Sequence, residues 1–291
     1  MRRSFLIAVR FLTRLPMPDP GPVSAPDLGR CAVFFPLVGL LLGLMVWGLM
    51  VSGLSVLSAQ VVVPDPGPAS GGHSLGGGHN PPYSGGGHSP PYSGDGHGPP
   101  YGMAAALVLV AWVGLTGGLH LDGLADTADA WIGGLGDRHR TLEIMQDPGS
   151  GSFGVMALVL LLLCKWVALS ALMTAGATAS LIWIPALARA QLLVLFLTTP
   201  AARPDGMGAA VRIYLPRTAA WSWLILTLVA SAWFLGTAWL GLVVTAGVLL
   251  LLLRRSVMVR LGGFSGDTAG ALVELSETLM LAAAVFFSGS A

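Results

Sequence analysis

The sequence predicts an all-α fold, a polytopic integral membrane bundle of about seven transmembrane helices with an amphipathic helix at the N-terminus. Three observations carry this. Hydrophobic residues make up 54% of the chain and charged residues 10%, against about 25% charged in an ordinary soluble domain. Apolar runs long enough to cross a ~30 Å hydrocarbon core recur along the chain. The few acids are gathered in clusters rather than scattered over a solvated surface.

Residues 1–15 set Phe5, Leu6, Val9 and Leu12 against Arg2, Arg3, Arg10 and Arg14, the pattern of a helix lying on an anionic membrane surface. Arg10 and Arg14 interrupt any apolar leader, so no signal peptide is expected. Pro16, Pro18 and Pro20 end the helix. The apolar runs that follow are Ala32–Ala59, Met103–Leu119, Phe153–Ala175, Ser180–Thr199, Ala219–Gly236, Thr237–Leu253 and Ala269–Phe287. Ser152 is a candidate N-cap for the third. Cys31 and Cys164 sit in apolar context and read as small buried hydrophobes.

One segment differs in kind. Residues 64–102 hold a nine-residue repeat in three copies, at 76–84, 85–93 and 94–102, rich in Gly, His and Pro. With no apolar face it cannot offset its ordering entropy, so it reads as a disordered loop inserted in a single membrane domain spanning 1–291. His79, His88 and His97 are weak candidates for a soft metal, and a low-complexity insert is the favoured reading.

Charge gives orientation. Thirteen of the fifteen Lys and Arg residues lie in segments 2–30, 138–140, 203–217 and 254–260, and none lies between 31 and 137. With seven spans those four segments share one side, which the positive-inside rule makes cytoplasmic. Lys165 and Arg189 fall inside apolar runs, where a charge costs roughly 2.5–3.5 kcal/mol and is expected to face the bundle and find a partner. The net charge of +1 marks no partner, and no nucleic acid is expected.

The chemistry centres on Gly117-Gly118-Leu119-His120-Leu121-Asp122-Gly123-Leu124-Ala125-Asp126-Thr127-Ala128-Asp129. On a helix Asp122, Asp126 and Asp129 fall within an arc of roughly 60°. No Lys or Arg stands between Trp112 and Asp137 to neutralise them. A divalent cation is the simplest neutraliser, and hard oxygen ligands that leave room for water and phosphate suit Mg²⁺. An acidic helix start that favours its own dipole is the plain alternative. Asp267, in Gly266-Asp267-Thr268-Ala269-Gly270, falls on the same side and is a candidate ligand of the same or a second metal. Glu274 and Glu277 follow it, and Glu143 and Asp147 are four residues apart on a polar segment. With Asp137, nine of the fourteen acids thus gather in two regions on one side. That arrangement suits phosphoryl transfer: carboxylates hold the metal, Arg residues neutralise a diphosphate, and an acid or His deprotonates the attacking hydroxyl. His120, Asp122 and Asp126 are the catalytic candidates. His120 points away from the Asp stripe on an unbroken helix, so its role calls for a break at Gly117-Gly118 or Gly123. Arg14, Arg138 and Arg189 are the candidate contacts to nucleotide phosphates.

The spacing Asp-Gly-x-x-Asp-x-x-Asp is also similar to the acidic motif of membrane CDP-alcohol phosphotransferases, as an analogy of mechanism. An ion-coupled transporter predicts internal repeat symmetry and mid-membrane acids, and a non-catalytic scaffold does not explain acids gathered opposite the repeat loop.

The chain resembles the adenosylcobinamide-GDP ribazoletransferase (cobalamin synthase) family in Phe11-Leu-Thr-Arg-Leu-Pro-Met-Pro18, Phe35-Pro-Leu-Val-Gly-Leu-Leu-Leu-Gly43, the 117–129 stretch, Leu142-Glu-Ile-Met-Gln-Asp147, and Gly266–Gly270 with Glu274 and Glu277. It departs from the family in the 64–102 insert and around Pro148-Gly149-Ser150-Gly151-Ser152-Phe153. The resemblance implies that adenosylcobinamide-GDP and α-ribazole, or its 5′-phosphate, are joined to adenosylcobalamin or its 5′-phosphate with release of GMP. It implies Mg²⁺ dependence and a place in the cytoplasmic (inner) membrane with the site facing the cytoplasm. The expected partners are the two substrates and the lipid bilayer, with a homo-oligomer or association with other corrinoid-pathway enzymes left open.

Overall fold

The computed structural model describes residues 1–60 and 101–288. The repeats at 76–84 and 85–93, and most of the third, lie outside the described residues. Tyr101 and Gly102, assigned to the loop from sequence, open a helix.

Among the described residues the chain forms twelve helices: α1 (Arg2–Leu12), α2 (Ala25–Ala32), α3 (Phe35–Gln60), α4 (Tyr101–Thr116), α5 (Leu119–Gly133), α6 (Arg138–Ile144), α7 (Ser152–Thr174), α8 (Ser180–Thr198), α9 (Met207–Tyr214), α10 (Arg217–Leu235), α11 (Ala238–Leu261) and α12 (Gly266–Ser288). Six of them, α3, α7, α8, α10, α11 and α12, are each long and apolar enough to cross a membrane; α4 and α5 meet that test only as a pair, bent by 89° at the break between them, which gives up to seven spans among the described residues. The protein is a multi-pass membrane protein, as the composition requires.

The bend corrects the second apolar run. That run stops at Thr116, because Gly117 and Gly118 take φ of +65° and +72°, a left-handed region that costs other residues energy. The acidic motif therefore leads its own helix, turned nearly square to α4. The break between the fifth and sixth runs falls at Gly236, with φ of +55°.

The spans alternate in direction, so α1, α2, α5, α6, α9 and the start of α12 collect at one end of the bundle. The core sits between α3, α8 and α12. Gly39 and Gly43 let α3 approach α8 so closely that an added Cβ would collide with the carbonyl oxygens of Pro185 and Ile182. α8 is the central helix, buried on all sides, and Arg189 within it is fully enclosed. α1 does not merely rest on a membrane surface: Ile7, Ala8, Val9 and Leu12 are buried against the protein. α2 opens on Ser24, whose backbone and side chain donate to Asp27 and hold its carboxyl below the usual carboxylate range. Cys31 is buried, which pushes its thiol up to about 12, whereas Cys164 is exposed on the outer face of α7, contrary to the expectation that both are buried.

Candidate active site

The site is built where α5 crosses α12. Gly123 and Gly270 make the crossing close: a Cβ at Gly123 would stand 2.8 Å from the Asp267 carbonyl oxygen, and one at Gly270 would stand 3.2 Å from His120 Cα. Asp122 and Asp126 thereby come beside Asp267. Asp126 feels the negative charge of Asp122, Asp267 and Asp129. Asp122 is exposed, and Asp126 and Asp267 are half-buried.

The start of α12 is fixed from two directions. Ser265 N–H donates to Thr268 Oγ1 at 2.8 Å and Thr268 N–H donates to Ser265 Oγ at 3.1 Å, a reciprocal cap. The chain before it pairs with the segment after α8: Ala202 N–H donates to Phe264 O at 2.8 Å and Phe264 N–H to Pro200 O at 2.9 Å. This pairing brings Arg203 beside Asp267. Arg203 Nε and Nη2 are buried and have no hydrogen-bond partner. Sequence reasoning missed Arg203, because it reads as one more basic residue in a topology-setting segment.

The other candidates separate. Asp129 turns from the stripe to the N-terminus of α7, where its carboxylate accepts from Gly151 N–H at 2.7 Å and Gly154 N–H at 2.9 Å. It caps that helix, a role expected of Ser152, and both its oxygens are occupied. His120 follows the Gly117-Gly118 break, so it shares α5 with the Asp stripe and points to the opposite face. It is 4% exposed, and its Nδ1 has no partner. It lines the same cavity as Asp122 and Asp267 from the bundle side. Arg138 clamps the backbone: Nε donates to Leu261 O and Nη2 to Ala202 O, both at 2.8 Å. Arg189 lies inside the bundle and donates to Glu277 Oε1 at 2.7 Å and Pro185 O at 3.1 Å. Arg14 stays at the site, exposed, with its side chain packed over Gly117 at the head of α5.

Glu274 and Glu277 leave the acidic cluster that the sequence suggested. Both accept from Lys165 Nζ, at 2.6 and 2.8 Å, and with Arg189 they form a buried, charge-balanced group of four. Glu143 pairs with His139 on the surface, and Asp147 accepts from Gly149 N–H in its own turn.

Among the described residues no three His, Cys, Asp or Glu side chains converge as a ready-made metal cage. Mg²⁺ does not need one, since it commonly takes one or two carboxylates plus substrate phosphates and water. Asp122, Asp126 and Asp267, hard donors with no cation on their own helix face, fit that mode.

The model of the cobalamin-5-phosphate synthase family matches residues 4–64 and 92–285. The chain belongs to this family. The internal gap between the two matched stretches, 65–91, holds the first repeat and most of the second. A relative from Pseudomonas fluorescens named adenosylcobinamide-GDP ribazoletransferase is 43% identical over 285 residues, covering 97% of this chain and 99% of the relative. Relatives of the same name from Pseudomonas putida and Ectopseudomonas mendocina are each 42% identical, covering 94% and 95% of this chain and 94% and 96% of their own lengths. No solved structure matches.

Proposed function

We propose that this chain is a transferase that joins adenosylcobinamide-GDP to α-ribazole, or its 5′-phosphate, and releases GMP, the step that assembles the nucleotide loop of cobalamin. The family membership and the names of its relatives support the reaction. The observation that supports the site is the turning of the acidic helix α5 at Gly117-Gly118 onto the end of the bundle that carries Asp267, Arg14 and Arg203. That end also carries most of the basic residues, which supports its facing the cytoplasm, in the cytoplasmic membrane.

A ribose hydroxyl of the acceptor attacks the phosphorus bound to cobinamide. The new P–O bond forms as the bond to the bridging oxygen breaks, and GMP leaves with that oxygen. The carboxylate of this cluster that a metal would leave free, Asp122 or Asp267, takes the hydroxyl proton. Arg203, with two unpaired nitrogens, and Arg14 offset the charge of the diphosphate. Asp122 and Asp126, with Asp267 across from them, would hold Mg²⁺. Bound there, the ion would neutralise diphosphate charge and stabilise the leaving group.

The test is GMP release by purified, detergent-solubilised protein given both substrates, with Mg²⁺ and with EDTA, beside Asp122→Asn and Asp126→Asn. The expected outcome is GMP and a cobalamin product that need Mg²⁺ and both carboxylates. A well-folded wild type that forms no product with either acceptor overturns the reading.

A further inference from the structure

Beside Asp122 and Asp267 lies a cavity of about 160 Å³ walled by Phe11, Phe35, Phe196 and Phe264. The rings form a continuous series. Phe11 stacks on Phe35, centroids 5.9 Å apart and planes 7° apart; Phe35 meets Phe196 edge-on at 6.5 Å; Phe196 meets Phe264 at 5.1 Å. They arrive from α1, α3, α8 and the turn before α12, so four separate parts of the chain supply one wall. A cavity of about 150 Å³ lined by apolar side chains is the size that accepts an aromatic ring. The only polar side chains in this lining are His120, Asp122 and Asp267.

From this geometry we infer that the cavity receives the aromatic base of the acceptor nucleoside and sets its ribose at the mouth formed by Asp122 and Asp267. This rests on the proposed transfer to α-ribazole. The base of that nucleoside is a dimethylated benzimidazole, flat and apolar, with a single free ring nitrogen. The guanine of the donor fits less well: its O6 and N7 need donors, and the only side-chain donor in the lining is His120, while the two carboxylates that its N–H edge would use are taken by the transfer chemistry. His120 answers the single nitrogen. It is 96% withdrawn from solvent, lines this cavity, and holds Nδ1 without a partner. An unsatisfied buried nitrogen is costly in the empty protein, so a ligand that brings its partner is favoured. His120 is thus a base-binding residue, which accounts for its turning away from the Asp stripe.

Val211, on α9, gives the test. It is half-buried, lines the cavity, and does not line the neighbouring pocket around Arg203 and Asp267. A larger side chain at this position narrows the cavity from its wall. Phe11, 38% exposed at the rim, gives a second variant that spares the core. The experiment measures KM for α-ribazole and for adenosylcobinamide-GDP separately, in nanodiscs, with folding checked by thermal unfolding. In Val211→Phe the acceptor KM is expected to rise about tenfold or more, with the donor KM held within about twofold. Phe11→Ala is expected to raise the acceptor KM and to narrow the preference for α-ribazole over an adenine nucleoside. An unchanged acceptor KM in both variants overturns the inference. So does a rise confined to the donor KM, which assigns the cavity to guanine or the corrinoid. A wild type without product removes the parent reading and this inference together; a productive wild type with an unmoved acceptor KM removes only the inference.

Discussion

Lys165 Nζ lies 2.6 Å from Glu274 Oε2, linking the middle of α7 to the middle of α12, and neither side chain is more than 5% exposed. Glu277 accepts from the same ammonium at 2.8 Å and from Arg189 at 2.7 Å. The indole of Trp112 adds a π face 5.0 Å from Lys165 Nζ. Two cations and two anions balance inside the bundle.

Removing one charge leaves another uncompensated in low dielectric, at a cost of about 3–5 kcal/mol. Lys165→Met is therefore expected to be severely destabilised. Adding Glu274→Gln restores the balance with Arg189 and Glu277, and the double variant should unfold less readily than the two single losses summed. Thermal unfolding in one detergent, run as a double-mutant cycle, checks this; strict additivity counts against the network.

Asp129 and Asp122 share a helix face in sequence yet should behave differently. Asp129 accepts two backbone N–H groups at the head of α7. Asp129→Ala should lose about 1 kcal/mol of stability, the ordinary worth of an N-terminal cap, and retain Mg²⁺-dependent turnover. Asp122→Asn should keep its stability and lose turnover. Unfolding curves paired with GMP release separate the two; an inactive, fully stable Asp129→Ala would return Asp129 to the metal.

Arg203 should act on the donor alone. Its Nε and Nη2 are buried without partners beside Asp267. Truncation in Arg203→Ala should raise KM for adenosylcobinamide-GDP by about tenfold or more, with KM for α-ribazole little changed. Arg203→Lys should recover part of the loss, because it restores charge without the planar fork. Equal KM values in wild type and Arg203→Ala would refute the assignment.

The sequence shows much of this and hides a definite remainder. Apolar runs lay out the spans, since lipid allows few other ways to satisfy a backbone. The Asp-x-x-x-Asp-x-x-Asp spacing marks the acidic face of α5. What spacing cannot carry is which partner each charge finds across the fold. Asp129 looks identical to Asp126 until α7 is placed against it. Arg138 looks like a phosphate ligand until its guanidinium is seen on the carbonyls of Leu261 and Ala202. Glu274 and Glu277 join the Asp cluster by proximity in sequence, yet they face Lys165. The bend before α5 was legible only as a condition on His120: Gly117-Gly118 permits a turn, but only packing against α12 decides its angle.

The buried ion group also sets an order of assembly. Lys165 is made 109 residues before Glu274. At synthesis rates of about 5–20 residues per second, it waits roughly 5–20 s in the bilayer for its counter-charge. Arg189 waits beside it. The charge balance within α7 and α8 therefore cannot be completed until α12 has been made. A chain that stops short of α12 carries Lys165 and Arg189 within its membrane spans without the two carboxylates that balance them.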